Sequence, residues 1–562
     1  MKKEKLSGCV SLCFLVLGTA AIVLSMVFLF AIFPTLVNNG VSDQKLLGLN
    51  NDGSYNDFTK TWSNPQYIST IQYWVYDYKN PIGILNRAIY PDVEERGPYA
   101  YDEIIKNENI DFSNDGEKMA FSQRIIYKFN PSKSCKGCDP INDTVIVPDV
   151  SFMIGMDALD EQLETLFNNS LVAGFCEALM NGNFPNANAT AECIKLRNLI
   201  IGELGTMMDL FDVSPFVNVT VDQLIFSGYQ APMINKVVNK LVWFVNNLIG
   251  IKLLNETAPQ YVLLNSENAT TDQLYHVWTG KSDRQKTGFI LRWDNMTNAS
   301  LPSEGNSLPE SWWPGFNATW CEKGKSALKL DGTNGDYFQN FIKKTDRLPV
   351  FIYDLCRTSY LTYDRDVTVE GIPGYRFVLP ADEFNTTNPD NCGFCNPLKY
   401  GAYETPKDAR CMPTGLLDLS NCQNGAPIML SKPHFYQAEP VVSRFVPRFK
   451  PNYDADETML DLEPYTGTVL AAQKRSQINV LVNQLVHINA YKVLRPGAYP
   501  LVWSNESFYM DEGTKSQLNQ IYVPKKIVTI VCWCVFGLGV LFFLVGAIVL
   551  IGMVVQVERK RK

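Results

Sequence analysis

The chain has 562 residues, 46% of them hydrophobic and 19% charged, enough for one large domain with a real core, or for two. Ordinary charged and hydrophobic fractions imply that most of it is water-soluble once folded. Its net charge of −8 leaves no electrostatic footprint for nucleic acid.

The first element is apolar. No residue from Leu6 to Ser42 is charged, and the hydrophobic part runs to Phe33; Ile527 to Val557 is again free of charge. Each stretch exceeds the roughly 20 residues a helix needs to cross a bilayer core. A cleaved signal peptide is the alternative for the first, but signal cores run only about 7–15 apolar residues and end at small ones. Here Val27-Phe28-Leu29-Phe30-Ala31-Ile32-Phe33 continues the run without a cleavage site. The second stretch is not a lipid-anchor signal, because Arg559-Lys560-Arg561-Lys562 follow it. Lys2, Lys3 and Lys5 precede the first span, so both tips are expected in the cytoplasm, with Lys525 and Lys526 weighing mildly against this. The tips carry +2 and +3, which leaves the part between them at −13.

The expected organisation is a cytoplasmic tip at 1–5, a transmembrane helix at 6–33 and a glycosylated outer domain at 34–526. A second transmembrane helix at 527–557 and a tip at 558–562 complete it. Neither span contains GxxxG, and Ala21 with Ser25 forms only a weak small-residue pair, so association within the membrane is left undetermined. Cys9 and Cys13 lie near the cytoplasmic face, where they are suited to reversible palmitoylation or serve as apolar filler. Cys532 and Cys534 lie toward the outer face, away from that chemistry.

Within the outer domain, residues 55–150 read as short strands such as Phe121 to Phe129. A helical block at about 157–254 follows. Leu159, Leu163, Leu166, Phe167, Leu171, Phe175 and Leu179 recur at helical spacing, with Asp157 as N-cap and Gly182 as stop. Further periodic runs cover Ile194 to Phe211 and Met233 to Leu254. From Tyr261 the pattern returns to strands, as at Tyr375–Leu379, Ile428–Leu430 and Ile478–Val482. With no repeat and no low-complexity linker, the domain reads as α+β.

Sequons begin at Asn142, Asn168, Asn188, Asn218, Asn255, Asn268, Asn295, Asn298, Asn317, Asn385 and Asn505, all between the spans. Eleven of them point to the secretory pathway. Ten of the 14 cysteines share that region, an even number in an oxidising compartment where disulfides are the default. Cys135-Lys136-Gly137-Cys138 has zinc or redox spacing, but zinc needs two more ligands and the chain holds only His276, His434 and His487. A local disulfide is the better reading. No cofactor is implied, and no GxSxG, HExxH or phosphate loop suggests an enzyme.

Arg96-Gly97-Pro98-Tyr99-Ala100-Tyr101 resembles the RGPYxY signature of the class B scavenger receptors, the family of fatty acid translocase, the high-density-lipoprotein receptor and the lysosomal integral membrane protein. Further matches follow in order: Val221 to Tyr229, Asp354 to Tyr360, Gly371 to Phe377, Pro389 to Cys395, Lys432 to Phe435, Leu462 to Gly467 and Val502 to Glu506. The resemblance covers nearly the whole chain. It implies a mostly antiparallel β core with an apical helical bundle, anchored by one transmembrane helix at each end. It also implies Cys321–Cys392, Cys356–Cys422 and Cys395–Cys411 bridges. Here C-G-F-C stands where relatives have C-x-C, so the partners of Cys392 and Cys395 could be exchanged. Cys135–Cys138 and Cys176–Cys193 are expected to pair locally.

The function implied is binding of lipid or lipoprotein ligands and delivery of lipid to the membrane through an apolar passage that accepts an acyl chain or a sterol. Its lining cannot be named, because periodicity does not separate lining from core. The alternative is a trafficking receptor that carries a lumenal protein to lysosomes, held at the helical cap. The tail lacks an acidic dileucine signal, which favours the plasma membrane over the lysosome; Arg559 and Lys560 weakly mimic a retrieval signal. From Asp157 to Asp212 nine acids face only Lys195 and Arg197. Such a cap is expected to repel anionic particles and to favour neutral, cationic or protein ligands.

Overall fold

The computed structural model describes residues 2–42, 46–65, 69–87, 89–155, 214–229, 268–270, 273–293, 307–396, 411–423, 425–482 and 494–561. Most of the expected cap lies outside these residues, with Cys176, Cys193, Asn168 and Asn188; so do Asn255, Asn295 and Asn298.

The strands are β1 (Ser69–Tyr78), β2 (Val93–Phe112), β3 (Lys118–Phe129), β4 (Thr144–Pro148) and β5 (Phe216–Thr220). They continue as β6 (Gln273–Trp278), β7 (Ile290–Trp293), β8 (Arg347–Ile352), β9 (Arg357–Val369) and β10 (Ile372–Val378). The last five are β11 (Leu417–Asp418), β12 (Ile428–Ser431), β13 (Met459–Leu462), β14 (Val469–Val482) and β15 (Gly497–Tyr509). Among the described residues thirteen of these form one sheet in the order β7-β6-β3-β2-β1-β15-β14-β13-β10-β9-β8, with β12 and β11 branching from β14. Its pairings are antiparallel. The fold is therefore α+β with a large antiparallel core. β4 and β5 pair separately, so Phe216-Val217-Asn218-Val219-Thr220, within the expected helical block, is extended. Its alternating β-branched residues suit a pleated strand better than a helix.

The first and last long strands of the outer domain, β1 and β15, are neighbours at the sheet centre, with Thr70 opposite Ser507. Two residues separate the end of β15 from the second of the two terminal helices. The first runs from Lys2 to Val27, continues through a π turn at Phe28–Ile32 and ends at Ser42; the second spans Glu512–Arg561. Both are long and apolar enough to cross a membrane.

The two helices pack on each other along small residues. Ser11, Gly18 and Ser25 on the first are buried, as are Cys532, Gly539 and Gly546 on the second. Each set repeats every seven residues, which keeps one narrow seam facing the partner. A Cβ on Gly18 would lie 2.6 Å from the backbone nitrogen of Phe543, and one on Gly539 would lie 2.9 Å from the carbonyl oxygen of Gly18. Glycine here permits the backbones to approach, the usual basis of helix pairing in lipid.

The N-terminal part of the second helix lies against the β-sheet domain. Leu518 packs with Ile372, Leu470 and Met510, while the Tyr522 hydroxyl donates to Glu463 and the Lys525 ammonium to the Tyr465 hydroxyl at 2.5 Å. The Leu462–Gly467 motif is therefore a dock for this helix.

Candidate functional site

The strand register gathers charged and aromatic side chains on one inward face. Lys474 (β14), Glu506 (β15), Ile71 (β1), Tyr101 (β2) and Phe129 (β3) lie in a row across five strands. Ser69, Glu103 and Tyr127 form part of the next row. Side chains alternate along a strand, so Tyr73 and Ser504, two positions from Ile71 and Glu506, share this face.

The cluster combines an aromatic wall with a few polar groups. Phe226, from the Val221–Tyr229 motif, meets Tyr101 at 4.7 Å between ring centroids, Tyr127 at 5.7 Å and Tyr73 at 6.4 Å. Beside this wall the Lys474 ammonium donates to Glu506 at 2.6 Å, and the Ser69 hydroxyl donates to Glu103 at 2.5 Å. Burial pushes the Glu103 carboxyl up to about 8, assisted by repulsion from Glu506 and relieved in part by Ser69 and Lys474. Burial would lower the Lys474 ammonium, but Glu506, Glu103 and Asp336 outweigh it and hold it above its ordinary value.

Lys474 keeps 53% of its side chain accessible to water although Glu103, Tyr101 and Tyr73 on the same face are buried. Glu506 keeps 28% and Asp336 is half-buried. A lysine left accessible beside buried neighbours borders a recess in this face. The combination of an apolar aromatic wall with a small polar set is characteristic of ligand-binding interiors.

On the opposite face the Lys432–Phe435 motif is held by ionic contacts. His434 sits in left-handed backbone at φ 53°, its Nδ1 2.7 Å from Asp456 and its Nε2 bonded to Glu95. Burial alone would lower its pKa; the two carboxylates reverse that and raise it to about 9. Glu95 also accepts from the Trp503 indole at 3.1 Å. Lys432 pairs with Glu457 at 2.6 Å, both buried, and Arg357 with Glu383 at 2.8 Å beneath the ring of Phe394. In the RGPYAY segment, Arg96 donates to the Thr144 carbonyl and the Tyr99 hydroxyl to Asp143. Gly97 has φ 145°, and a Cβ there would lie 2.6 Å from the Tyr73 carbonyl oxygen, so no larger residue fits.

Four disulfides occur among the described residues: Cys135–Cys138, Cys321–Cys392, Cys356–Cys422 and Cys395–Cys411. The extra residue in C-G-F-C is taken up by a helical turn at Cys392–Phe394. No three His, Cys, Asp or Glu side chains among the described residues converge as metal ligands. Cys9 and Cys13 are free and exposed on the first helix, Cys532 is buried and Cys534 exposed.

Asn142, Asn218, Asn268 and Asn317 are exposed, and Asn385 is half-buried, its side-chain oxygen accepting from the amide and hydroxyl of Thr387. Asn505 differs. It is 9% exposed in mid-sheet, between Gln72 and Arg475, with its side-chain oxygen buried and unpartnered. Its local sequence marks a sequon at a place where little of the side chain reaches water.

Sequence reading missed Glu103, Lys474, Glu506 and Tyr73. Glu103, Lys474 and Glu506 stand beside polar neighbours such as Asp102, Arg475 and Asn505, as outward-facing strand positions do, and Tyr73 has no charge to single it out.

The family profile described as the CD36 family matches residues 16–550 of the chain. An uncharacterised protein of Caenorhabditis elegans is 54% identical over 530 residues, 93% of this chain and 92% of that one. Human lysosome membrane protein 2 is 28% identical, covering 95% and 94% of the two chains. Scavenger receptor class B member 1 of Sus scrofa is 25% identical, covering 92% and 85%.

Proposed function

The chain belongs to the CD36 family, and on that basis we propose that it is a scavenger-receptor-like glycoprotein that binds lipid or lipoprotein ligands and passes lipid to the membrane. The family match over nearly the whole chain is the observation that carries this reading. A water-accessible lysine–glutamate pair beside an aromatic wall is further support, because a recess of that kind can shelter an acyl chain. Removing one methylene from water is worth roughly 0.8 kcal/mol, so about 14 methylenes represent on the order of 11 kcal/mol. An apolar passage offsets most of that cost without reaction chemistry, which favours a transfer receptor over an enzyme.

In this reading the protein resides at the plasma membrane with both termini in the cytoplasm. The basic residues flanking the spans support that orientation. Mass spectrometry of lipids that co-purify with the intact glycoprotein, with uptake by cells expressing it, tests the proposal. A bound lipid and raised uptake are expected; a lipid-free protein with no effect on uptake overturns it.

A second reading, transport of a lumenal protein to lysosomes, draws on the likeness to lysosome membrane protein 2. A stoichiometric lumenal protein in the same purification, with lysosomal localisation, would favour it.

A further inference from the structure

Two separate features fix the height at which a bilayer surface meets this chain. The uncharged run from Ile527 to Val557 is about 46 Å long at about 1.5 Å per residue, close to the roughly 40–45 Å of a bilayer with its headgroups. Ile527 then stands at the lipid surface, with Lys525 about 3 Å and Tyr522 about 7.5 Å beyond it along the helix. The first helix agrees. Ser11 opposite Gly546 and Gly18 opposite Gly539 set an antiparallel register, in which Phe33, the last residue of the first apolar run, is level with Pro524. Both apolar runs end at one height.

The β-sheet domain touches the second helix at that height. The Lys525 ammonium, besides donating to the Tyr465 hydroxyl, lies 4.5 Å from the centre of that ring, and the Tyr465 and Tyr522 rings meet at 6.2 Å. The Phe341 and Ile342 amides donate to the carbonyl oxygens of Tyr465 and Pro464 at 3.0 and 2.8 Å, so Lys343 and Lys344 follow beside the β13–β14 turn. Lys344 lies 5.3 and 5.2 Å from the ring centres of Tyr363 and Tyr375, and pairs with Asp366 at 2.7 Å. Lys343 and Lys526 are exposed, and neither ammonium has an ion pair among the described residues. Glu463, in the turn, is sealed off: it is 0% exposed and accepts from the amides of Tyr465 and Thr466 and from the hydroxyls of Thr466 and Tyr522.

We propose that the β-sheet domain rests on its own bilayer along this side, with the β13–β14 turn and residues 341–344 against the headgroups and Lys343 and Lys526 on phospholipid phosphates. This rests on the two-span reading above and does not depend on whether the protein passes lipid. Tyrosine rings and lysine stems suit the boundary between acyl chains and water, and an ammonium donates strongly to a phosphate oxygen. The surface is continuous with the membrane helix, which commits it to lipid rather than to a soluble partner. Beside the two helices it supplies a third point of contact, which fixes the angle at which the domain stands on the membrane.

The test uses the full-length glycoprotein in phosphatidylcholine nanodiscs containing a phospholipid with a photoactivatable headgroup. Peptide mapping should show adducts on 338–346 and 463–468 at least fivefold above those on 79–85, which follow the far end of β1. Lys343→Gln with Lys526→Gln should lower those adducts at least threefold and leave the adducts on the membrane helices unchanged. Raising salt to 1 M should do the same to the wild type, since these charges are open to screening. Adducts confined to the helices, or equal on 79–85, overturn the docking and leave the two spans standing. No adducts on either helix overturn both. Adducts that the double variant and salt leave unchanged overturn the phosphate contacts, and so does their loss on adding inorganic phosphate at constant ionic strength, which would assign the lysines to a soluble anion.

Discussion

The Ser11 hydroxyl donates to the carbonyl oxygen of Gly546 at 2.7 Å, joining residues 535 apart in sequence within the paired terminal helices. Interhelical hydrogen bonds in lipid are worth about 0.6 kcal/mol on average, so Ser11→Ala should cost little. Gly539→Leu should cost much more, because even a Cβ there would lie 3.0 Å from the Cβ of Ala21. Thermal unfolding in detergent should show a small shift for the first variant. For the second, Cys-pair crosslinking between the helices should fall severalfold.

His434 links the Lys432–Phe435 motif to Glu95 on β2, and its raised pKa sets a pH dependence. A histidine held at about 9 contributes stability fully below about 6.5, and loses it as pH rises through 9. The contribution is at most about 3 kcal/mol. Asn tolerates the left-handed backbone at this position, so His434→Asn isolates the charge. The stability gap between wild type and variant should be largest near pH 6 and should narrow steadily toward pH 10; a gap that is flat across that range would contradict the linkage.

Arg357 in the Asp354–Tyr360 motif is 1% exposed and answers Glu383, itself 3% exposed. Removing one member of a buried pair leaves an uncompensated charge, at a cost of about 3–5 kcal/mol. Arg357→Met should therefore reduce chemical-denaturation stability by that amount. The double variant with Glu383→Gln should recover part of the loss.

The buried sequon gives a prediction on modification. Asn142→Gln should increase gel mobility by one glycan, since Asn142 is exposed. Asn505→Gln should leave mobility unchanged, because the folded sheet covers that side chain. Glycopeptide mapping that found Asn505 occupied would show that glycosylation precedes closure of β1 on β15.

Much of this molecule is encoded locally. Two long apolar runs specify the terminal helices whatever lies between them, because their length alone matches a bilayer. Alternation marks Phe121–Phe129 and Ile478–Val482 as strands, within β3 and β14. The ordered motifs identify the family. The helix seam was legible in principle, since Ser11, Gly18 and Ser25 repeat every seven residues as do Cys532, Gly539 and Gly546, but a search at four-residue spacing passes over it. The inner cluster was not legible. Alternation says that Glu506 and Tyr73's neighbours share a face, not which way that face looks. Only the pairing of β1 with β15, strands more than 400 residues apart, and of β15 with β14, places Lys474 and Glu506 on one face of the sheet and Asn505 on the other. Facing is a property of the closed sheet, and closure depends on contacts that no short stretch of chain contains.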